Sequence, residues 1–365
     1  MKVAIITDSH WGARNDSQVF TDYFAKFYKD IFFPTLEERE IHTIIHMGDI
    51  VDRRKFINYK TLFQMRKHFF DVCYDRYIDL HLIIGNHDTY FKNTNDVNSM
   101  DCLRMMRPAR LHSLTLREGA GITTYQTPTE IELDGLKCFM QPWICPENEA
   151  ESLDMIAKTD AQILFGHLQV RGFEMHRGQY NYEGTSAAIF KKFDMAFSGH
   201  FHHKSDNGNV YYLGTPYQIT WSDYKDPRGF HIFDTETRSL EFIQNPQEIF
   251  HKYYYDEDKL TLETIENEDY AKYKDSYVKL VVVKRNNAFW FDTLLDKLYK
   301  ADVTDISVVE NFDIDDFDGE ELIDEAEDTM TILSKFVQSM EIEQKSELDT
   351  LMTSLYTESL TMETV

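Results

Sequence analysis

The chain has 365 residues, 42% of them hydrophobic, which suffices for two domains with ordinary cores and excludes a disordered polymer. Its formal net charge of −25 argues against broad affinity for nucleic acid, because phosphate binding normally rests on Lys and Arg. The acidic excess is unevenly placed: residues 1–120 carry 17 Lys+Arg against 16 Asp+Glu, whereas residues 302–329 carry 13 acidic residues and no basic one.

Residues 3–7 are an apolar, β-branched run that predicts a strand, and Asp8-Ser9-His10 follows at its end. The run meets Asp8 too soon for a signal peptide, and no later apolar stretch approaches membrane-spanning length, so a soluble, unexported cytoplasmic protein is expected. A helical pattern over 19–33, ended by Pro34, leads to a strand at 43–46 and then to Gly48-Asp49-Ile50-Val51-Asp52. A second helix is predicted over 59–74, and a strand at 80–84 is followed by Gly85-Asn86-His87-Asp88. Strands at 163–165 and 195–198 precede Gly166-His167 and Gly199-His200-Phe201-His202. The four cysteines, Cys73, Cys102, Cys138 and Cys145, form no Cys-x-x-Cys pair and read as apolar filling in a reducing compartment.

Strands at 210–213, 229–233 and 240–243 are expected to close a second sheet, with a boundary near Asn245-Pro246. Strand, helix and strand patterns at 277–283, 289–299 and 303–309 then predict a small second domain. Beyond Asp313, Leu322, Ala326, Met330, Leu333, Val337 and Met340 fall at steps of four or three, the stripe of an amphipathic helix. The domains expected are thus 1–245, 246–312, and an acidic linker with amphipathic helices at 313–365.

Each motif alone is weak. An Asp and a His two apart fit a turn, and Gly-Asp-x-x-Asp fits a turn with a helix cap. Their conjunction is informative, because five motifs each follow a strand, and open α/β sheets place their sites just past the carboxyl ends of strands. Together they supply carboxylates, imidazoles and an amide for two divalent cations. Two cations about 3.5–4 Å apart need a shared anion, and Asp49 is the candidate bridge. Mixed nitrogen and oxygen ligands suit Mn²⁺, Fe²⁺ or Zn²⁺ better than an all-oxygen Mg²⁺ site.

This ordered set resembles the calcineurin-like metallophosphoesterase superfamily over roughly residues 1–245. The resemblance implies an α/β fold, a four-layer α/β/β/α sandwich, here with a small α/β cap domain and a helical C-terminal tail. Gln141-Pro142-Trp143, Leu213-Gly214-Thr215-Pro216-Tyr217 and Asp226-Pro227-Arg228-Gly229-Phe230 make the chain most similar to SbcD-type nucleases, the DNA-processing subunits of the MRN and SbcCD complexes, and among them to the recombination endonuclease subunit of large tailed phages. Gly48-Asp49-Ile50-Val51-Asp52-Arg53 is also close to the protein phosphatase pattern, but Arg54 stands where that pattern has Gly.

The resemblance implies one metal on Asp8, His10, Asp49 and His202, and a second on Asp49, Asn86, His167 and His200. His87 would face the scissile phosphate, Asp88 would orient its ring, and Asp52 would support the site by hydrogen bonding. His203 is expected at the surface. Arg14, Arg53, Arg54, Lys55 and Lys92 are candidate DNA contacts, and Tyr90 and Phe91 could stack on an unpaired base or pack within their loop. The implied activity is Mn²⁺-dependent exonuclease and single-strand endonuclease cleavage of DNA. The implied partners are DNA, a second copy of the chain through helices near 59–74 and 100–107, and an SbcC-like coiled-coil ATPase docked on Leu333 and Val337 of the tail. A phosphomonoesterase or protein phosphatase, and a non-catalytic scaffold on the same fold, are the alternatives.

Overall fold

In the computed structural model the described residues are 1–104, 121–176, 179–310, 348 and 351–352. The tail residues Leu333 and Val337, and residues 105–107 of an expected dimer helix, lie outside them.

Two six-stranded sheets face each other. The first runs, in spatial order, Leu240–Gln244, Gly229–Asp234, Lys2–Ile6, Thr43–His46, Asp79–Ile83 and Ile122–Tyr125. The second runs Ser205–Asp206, Val210–Tyr212, Met195–Gly199, Ile163–His167, Leu136–Gln141 and Thr129–Leu133. The central pairs of both are parallel. Side-chain alternation explains the layering: Val3, Ile5, Ile45, Phe165 and Phe197 fill the space between the sheets, while their neighbours Ala4, Ile6 and Ile44 face helices on one side and Leu164 and Ala196 face helices on the other. Phe20, Phe24, Phe27, Phe32 and Phe69 are fully covered on the outer face of the first sheet, and each contributes roughly 1.5–3 kcal/mol by leaving water.

Pro34 does not end the first helix. Gln18–Phe27 passes through a π-turn at Tyr28–Phe32 into Phe33–Glu38. The π-turn bonds the Phe33 N–H to the Tyr28 carbonyl and places Pro34 in the opening turn of the next helical segment, where its missing N–H is tolerated. A second correction concerns the late strands. Only Val210–Tyr212 joins the second sheet; Gly229–Asp234 pairs antiparallel with Lys2–Ile6 and, with Leu240–Gln244, closes the first.

A third sheet of Phe250–Asp256, Tyr277–Lys284 and Asp305–Glu310 is wholly parallel, which requires crossovers. The second crossover is the helix Ala288–Lys300, capped by the Asn287 side chain on the Phe289 and Trp290 N–H groups. Tyr255, Leu280, Phe291, Leu294 and Leu298 form its core. The first strand of this sheet has a sequence too rich in Tyr and charge to stand out as apolar. It is tied to the main body where Gln218 Oε1 accepts the N–H groups of Ile249 and Phe250. Cys73, Cys138 and Cys145 are free and buried. No helix among the described residues is long and apolar enough to cross a membrane.

Candidate metal centre

The carboxyl ends of the central strands converge on one rim. Beyond them the first two loops continue the parallel pairing, with Asp8 N–H donating to Gly48 O at 3.0 Å and His10 N–H to Asp49 O at 3.0 Å. Four of the proposed ligands lie in left-handed backbone: Asp8 at φ 52°, His10 at 43°, Asp49 at 53° and His200 at 86°. Such conformations cost of order 1–3 kcal/mol each for residues with a Cβ and persist only where the surroundings fix them. Here two glycines permit the close approach. A Cβ on Gly85 would lie 2.2 Å from Asp49 Oδ1, and one on Gly199 would lie 2.1 Å from Thr7 Oγ1 and 2.7 Å from Asp8 Oδ2.

The side chains gather into two triads, Asp8 with His10 and His202, and Asp49 with His167 and His200, each with one donor atom per residue within 4.8 Å of the others. In the first, His10 Nε2 faces His202 Nε2 at 3.0 Å and Asp8 Oδ1 at 3.9 Å. In the second, Asn86 Oδ1 lies 3.0 Å from His167 Nε2 and 2.9 Å from His200 Nδ1. Asp49 Oδ2 reaches both groups, at 3.3 Å from His167 Nε2 and 4.0 Å from His10 Nε2. All seven expected ligands are therefore brought together.

The electrostatics fit a cation site. Burial disfavours a charge on His10 and His167, yet neighbouring carboxylates prevail: the Asp52 contact and Asp49 push His10 up to about 9, and Asp49 and Asp8 push His167 up to about 9. Burial raises Asp49, but His167 and His87 hold it well below the usual carboxylate range. Burial and His167 push His200 down to about 3. A packed set of anions that draws protons onto two imidazoles is a set whose charge divalent cations could match instead.

His87 is half-buried while its neighbours Asn86 and Asp88 are buried, so its ring stands at the open side of the centre. Its N–H donates to Asp49 Oδ1 at 2.7 Å, and its ring packs edge-on against His10 with centroids 4.9 Å apart. The expected contact from Asp88 is not made. Both Asp88 oxygens accept backbone N–H groups: Oδ2 those of Asp49 at 2.7 Å and Gly85 at 2.9 Å, and Oδ1 those of Ile50 at 3.0 Å and Val51 at 3.4 Å. The ring is held instead by the Asp52 carbonyl, 2.5 Å from Nδ1, while the Asp52 side chain lies 3.4 Å from His10 Nδ1.

His203 is not a free surface residue either. It lies 2.9 Å from Asp226 and 3.4 Å from Glu174. The block around Asp226 braces the ligands, a role that residue types alone do not announce: buried Arg228 donates to the His202 carbonyl, to Thr215 Oγ1 at 2.7 Å and to Asp223 at 2.7 Å. Tyr217 OH donates to the Ser9 carbonyl at 2.6 Å, between Asp8 and His10. The motifs containing Thr215, Tyr217 and Arg228 were the available signal.

Among the candidate phosphate contacts, Arg53 is taken by Asp16 at 3.0 Å and Asn15 at 2.6 Å. Arg54 Nη1 is buried with no hydrogen-bond partner among the described residues, and burial holds that guanidinium below its ordinary pKa. Arg14 lies 5.9 Å from the Phe20 ring, and Lys55 and Lys92 are exposed.

Residues 1–204 match the calcineurin-like phosphoesterase family. Exonuclease subunit 1 of Enterobacteria phage T4 is 29% identical over 344 residues, covering 93% of each chain. Among solved structures, a novel archaeal phosphodiesterase aligns with a TM-score of 0.32 and 16% identity over 67% of this chain and 100% of its own. A hypothetical protein from Thermus thermophilus aligns with a TM-score of 0.35 and 12% identity over the same shares, 67% and 100%. The family match covers more than half of the chain and ends just past His202, the last proposed ligand, so this protein belongs to the calcineurin-like phosphoesterase family.

Proposed function

We propose that the protein is a Mn²⁺-dependent DNA nuclease, with exonuclease and single-strand endonuclease activity, that hydrolyses phosphodiesters at a two-metal centre. The observation that carries this reading is the pair of triads joined by Asp49, in a chain that aligns along nearly its whole length with a phage exonuclease subunit.

Asp8, His10 and His202 would hold one cation, Asn86, His167 and His200 the other, and Asp49 both. When bound, the cations supply Lewis acidity and offset charge on the phosphate. Water attacks phosphorus in line and loses a proton to solvent, a new P–O bond forms, and the bond to the ribose oxygen breaks as that oxygen takes up a proton. His87 serves this step from the open side. With Nδ1–H donating to the Asp52 carbonyl, Nε2 is left for the substrate, where its protonated form donates to the charged transition state or gives its proton to the departing oxygen. Asp88 acts through the backbone, fixing the second and third motifs against each other. Arg54, Lys55 and Lys92 supply phosphate contacts, with Arg14 and Arg53 at the margin.

Residues 1–245 would form the nuclease domain, 246–312 a DNA-binding cap, and 313–365 a linker and docking element for an SbcC-like coiled-coil ATPase. A homodimer acting in DNA end processing, recombination and repair in the host cytoplasm completes the reading. The lack of excess positive charge in residues 1–245, 27 Lys+Arg against 33 Asp+Glu, supports it, since DNA affinity would then be shared with the partner. The test is incubation of purified protein and Mn²⁺ with labelled DNA, with and without the coiled-coil ATPase of the same genome, beside a phosphomonoester and a simple phosphodiester. Preference for the monoester would make it a phosphatase.

A further inference from the structure

The proposed chemistry leaves unexplained an aromatic ring placed against the ligands. Trp143 is half-buried, with its ring centroid 5.0 Å from that of His200 at 48° and 6.0 Å from that of His167 at 68°. Its backbone is fixed from both sides. The N–H donates to the Ile84 carbonyl at 2.8 Å, and the carbonyl accepts from Asn95 Nδ2 at 2.9 Å and Asn148 Nδ2 at 3.0 Å. The Asn95 bond ties it to the loop after the third motif, which Glu147 N–H also grips through the Asn93 carbonyl at 3.2 Å. That loop presents two exposed rings, Tyr90 at 41% and Phe91 at 47%, packed edge-on with centroids 4.7 Å apart.

Metal binding needs none of these rings. A nucleotide does, because its base lies within a few ångströms of its phosphate and carries two apolar faces. An indole whose backbone is pinned beside the ligands of the cation that would meet the phosphate is suited to one of those faces. A base within a duplex has both faces covered, so such a platform favours unpaired bases and is tolerant of sequence.

We infer that Trp143 is a stacking platform for an unpaired nucleobase next to the scissile phosphate, with the Tyr90–Phe91 loop braced against it as the continuation of the strand's path. The inference rests on the nuclease reading and deepens it: the substrate is recognised by an unstacked base as well as by its phosphate, so single strands and frayed ends are preferred. If Trp143 only packs against the imidazoles, removing the ring affects metals and every substrate alike.

The experiment compares kcat/KM in Mn²⁺ for a short single-stranded oligonucleotide and for the same oligonucleotide with abasic sites flanking the scissile bond. The wild type is expected to favour the base-bearing strand by roughly 5- to 150-fold, the value of one stacked base. Trp143→Leu, which keeps an apolar contact with His200, should bring the ratio close to one, and Trp143→Phe should retain most of it. A wild type that does not discriminate overturns the inference, as does a Trp143→Leu variant whose two rates fall in parallel with the ratio intact. The nuclease reading fails separately, if the wild type cleaves a simple phosphodiester but neither oligonucleotide.

Discussion

Asp88 Oδ2 accepts the backbone N–H of Asp49 at 2.7 Å, so the carboxylate of one motif fixes the left-handed turn that aims the carboxylate of another. Two further N–H groups of the same turn, from Ile50 and Val51, reach Oδ1. Asp88→Asn would present an amide N–H₂ to donors. The expected outcome is a lower melting temperature and metal affinity weakened by about 10- to 100-fold, the usual cost of losing a group that orients ligands. Isothermal titration with Mn²⁺ checks it; unchanged affinity would mean that the turn holds itself.

His87 makes a contrasting case. Its backbone N–H donates to Asp49, and its ring nitrogen Nδ1 bonds the Asp52 carbonyl. His87→Ala should retain two metals and near-normal DNA binding while turnover falls by about 10²- to 10⁴-fold. Metal analysis of that variant decides the matter, because loss of a cation would make His87 a ligand.

The protonation of the metal-free centre sets a pH dependence. His10 and His167 have values pushed up to about 9 from an ordinary 6.5, so the stability they contribute is fully present below 6.5 and is lost as pH rises through 9. The chelated protein should therefore melt progressively earlier from pH 6.5 to 9. Divalent cations that replace those protons should flatten the curve. Apparent metal affinity should climb over the same range, roughly tenfold per pH unit for each proton displaced. Calorimetry in buffers of different ionisation enthalpy counts the protons; no release at pH 7 would contradict the charge balance described.

Much of the centre was legible in the sequence because each proposed ligand follows a strand and is flanked by turn residues, so chain order brought Asp8, Asp49, Asn86, His167 and His200 to one rim. What escaped has physical causes. The partner of the His87 ring is the backbone carbonyl of Asp52, and a carbonyl has no sequence signature. A period-two pattern extended past Gly199 puts His203 at the surface, but His200 turns the chain at φ 86° and ends that pattern. The sheet joined by Gly229–Asp234 depended on long-range pairing with Lys2–Ile6, which alternation within the strand cannot reveal.

The tail supplies a prediction about partnership. If residues 320–360 are a docking element, their deletion should leave melting and Mn²⁺-dependent cleavage of short single strands unchanged while abolishing co-purification with the coiled-coil ATPase. Charged substitutions at Leu333 and Val337 should act alike, since an unpaired charge on a buried helix face costs roughly several kcal/mol. A truncated protein that melts early and loses metal would make the stripe part of the core.

The role of Asp49 bears most directly on the two-metal chemistry, because its carboxylate lies 4.0 Å from His10 in one triad and 3.3 Å from His167 in the other. The decisive measurement pairs Mn²⁺ titration with cleavage of end-labelled single-stranded DNA, for the wild type and for Asp49→Ala. The wild type should bind two cations and release labelled nucleotides; the variant should lose affinity at both positions and show no cleavage under any divalent metal. An Asp49→Ala protein that still titrates two tight Mn²⁺ ions, or cleaves at the wild-type rate, would contradict the bridge and the mechanism built on it.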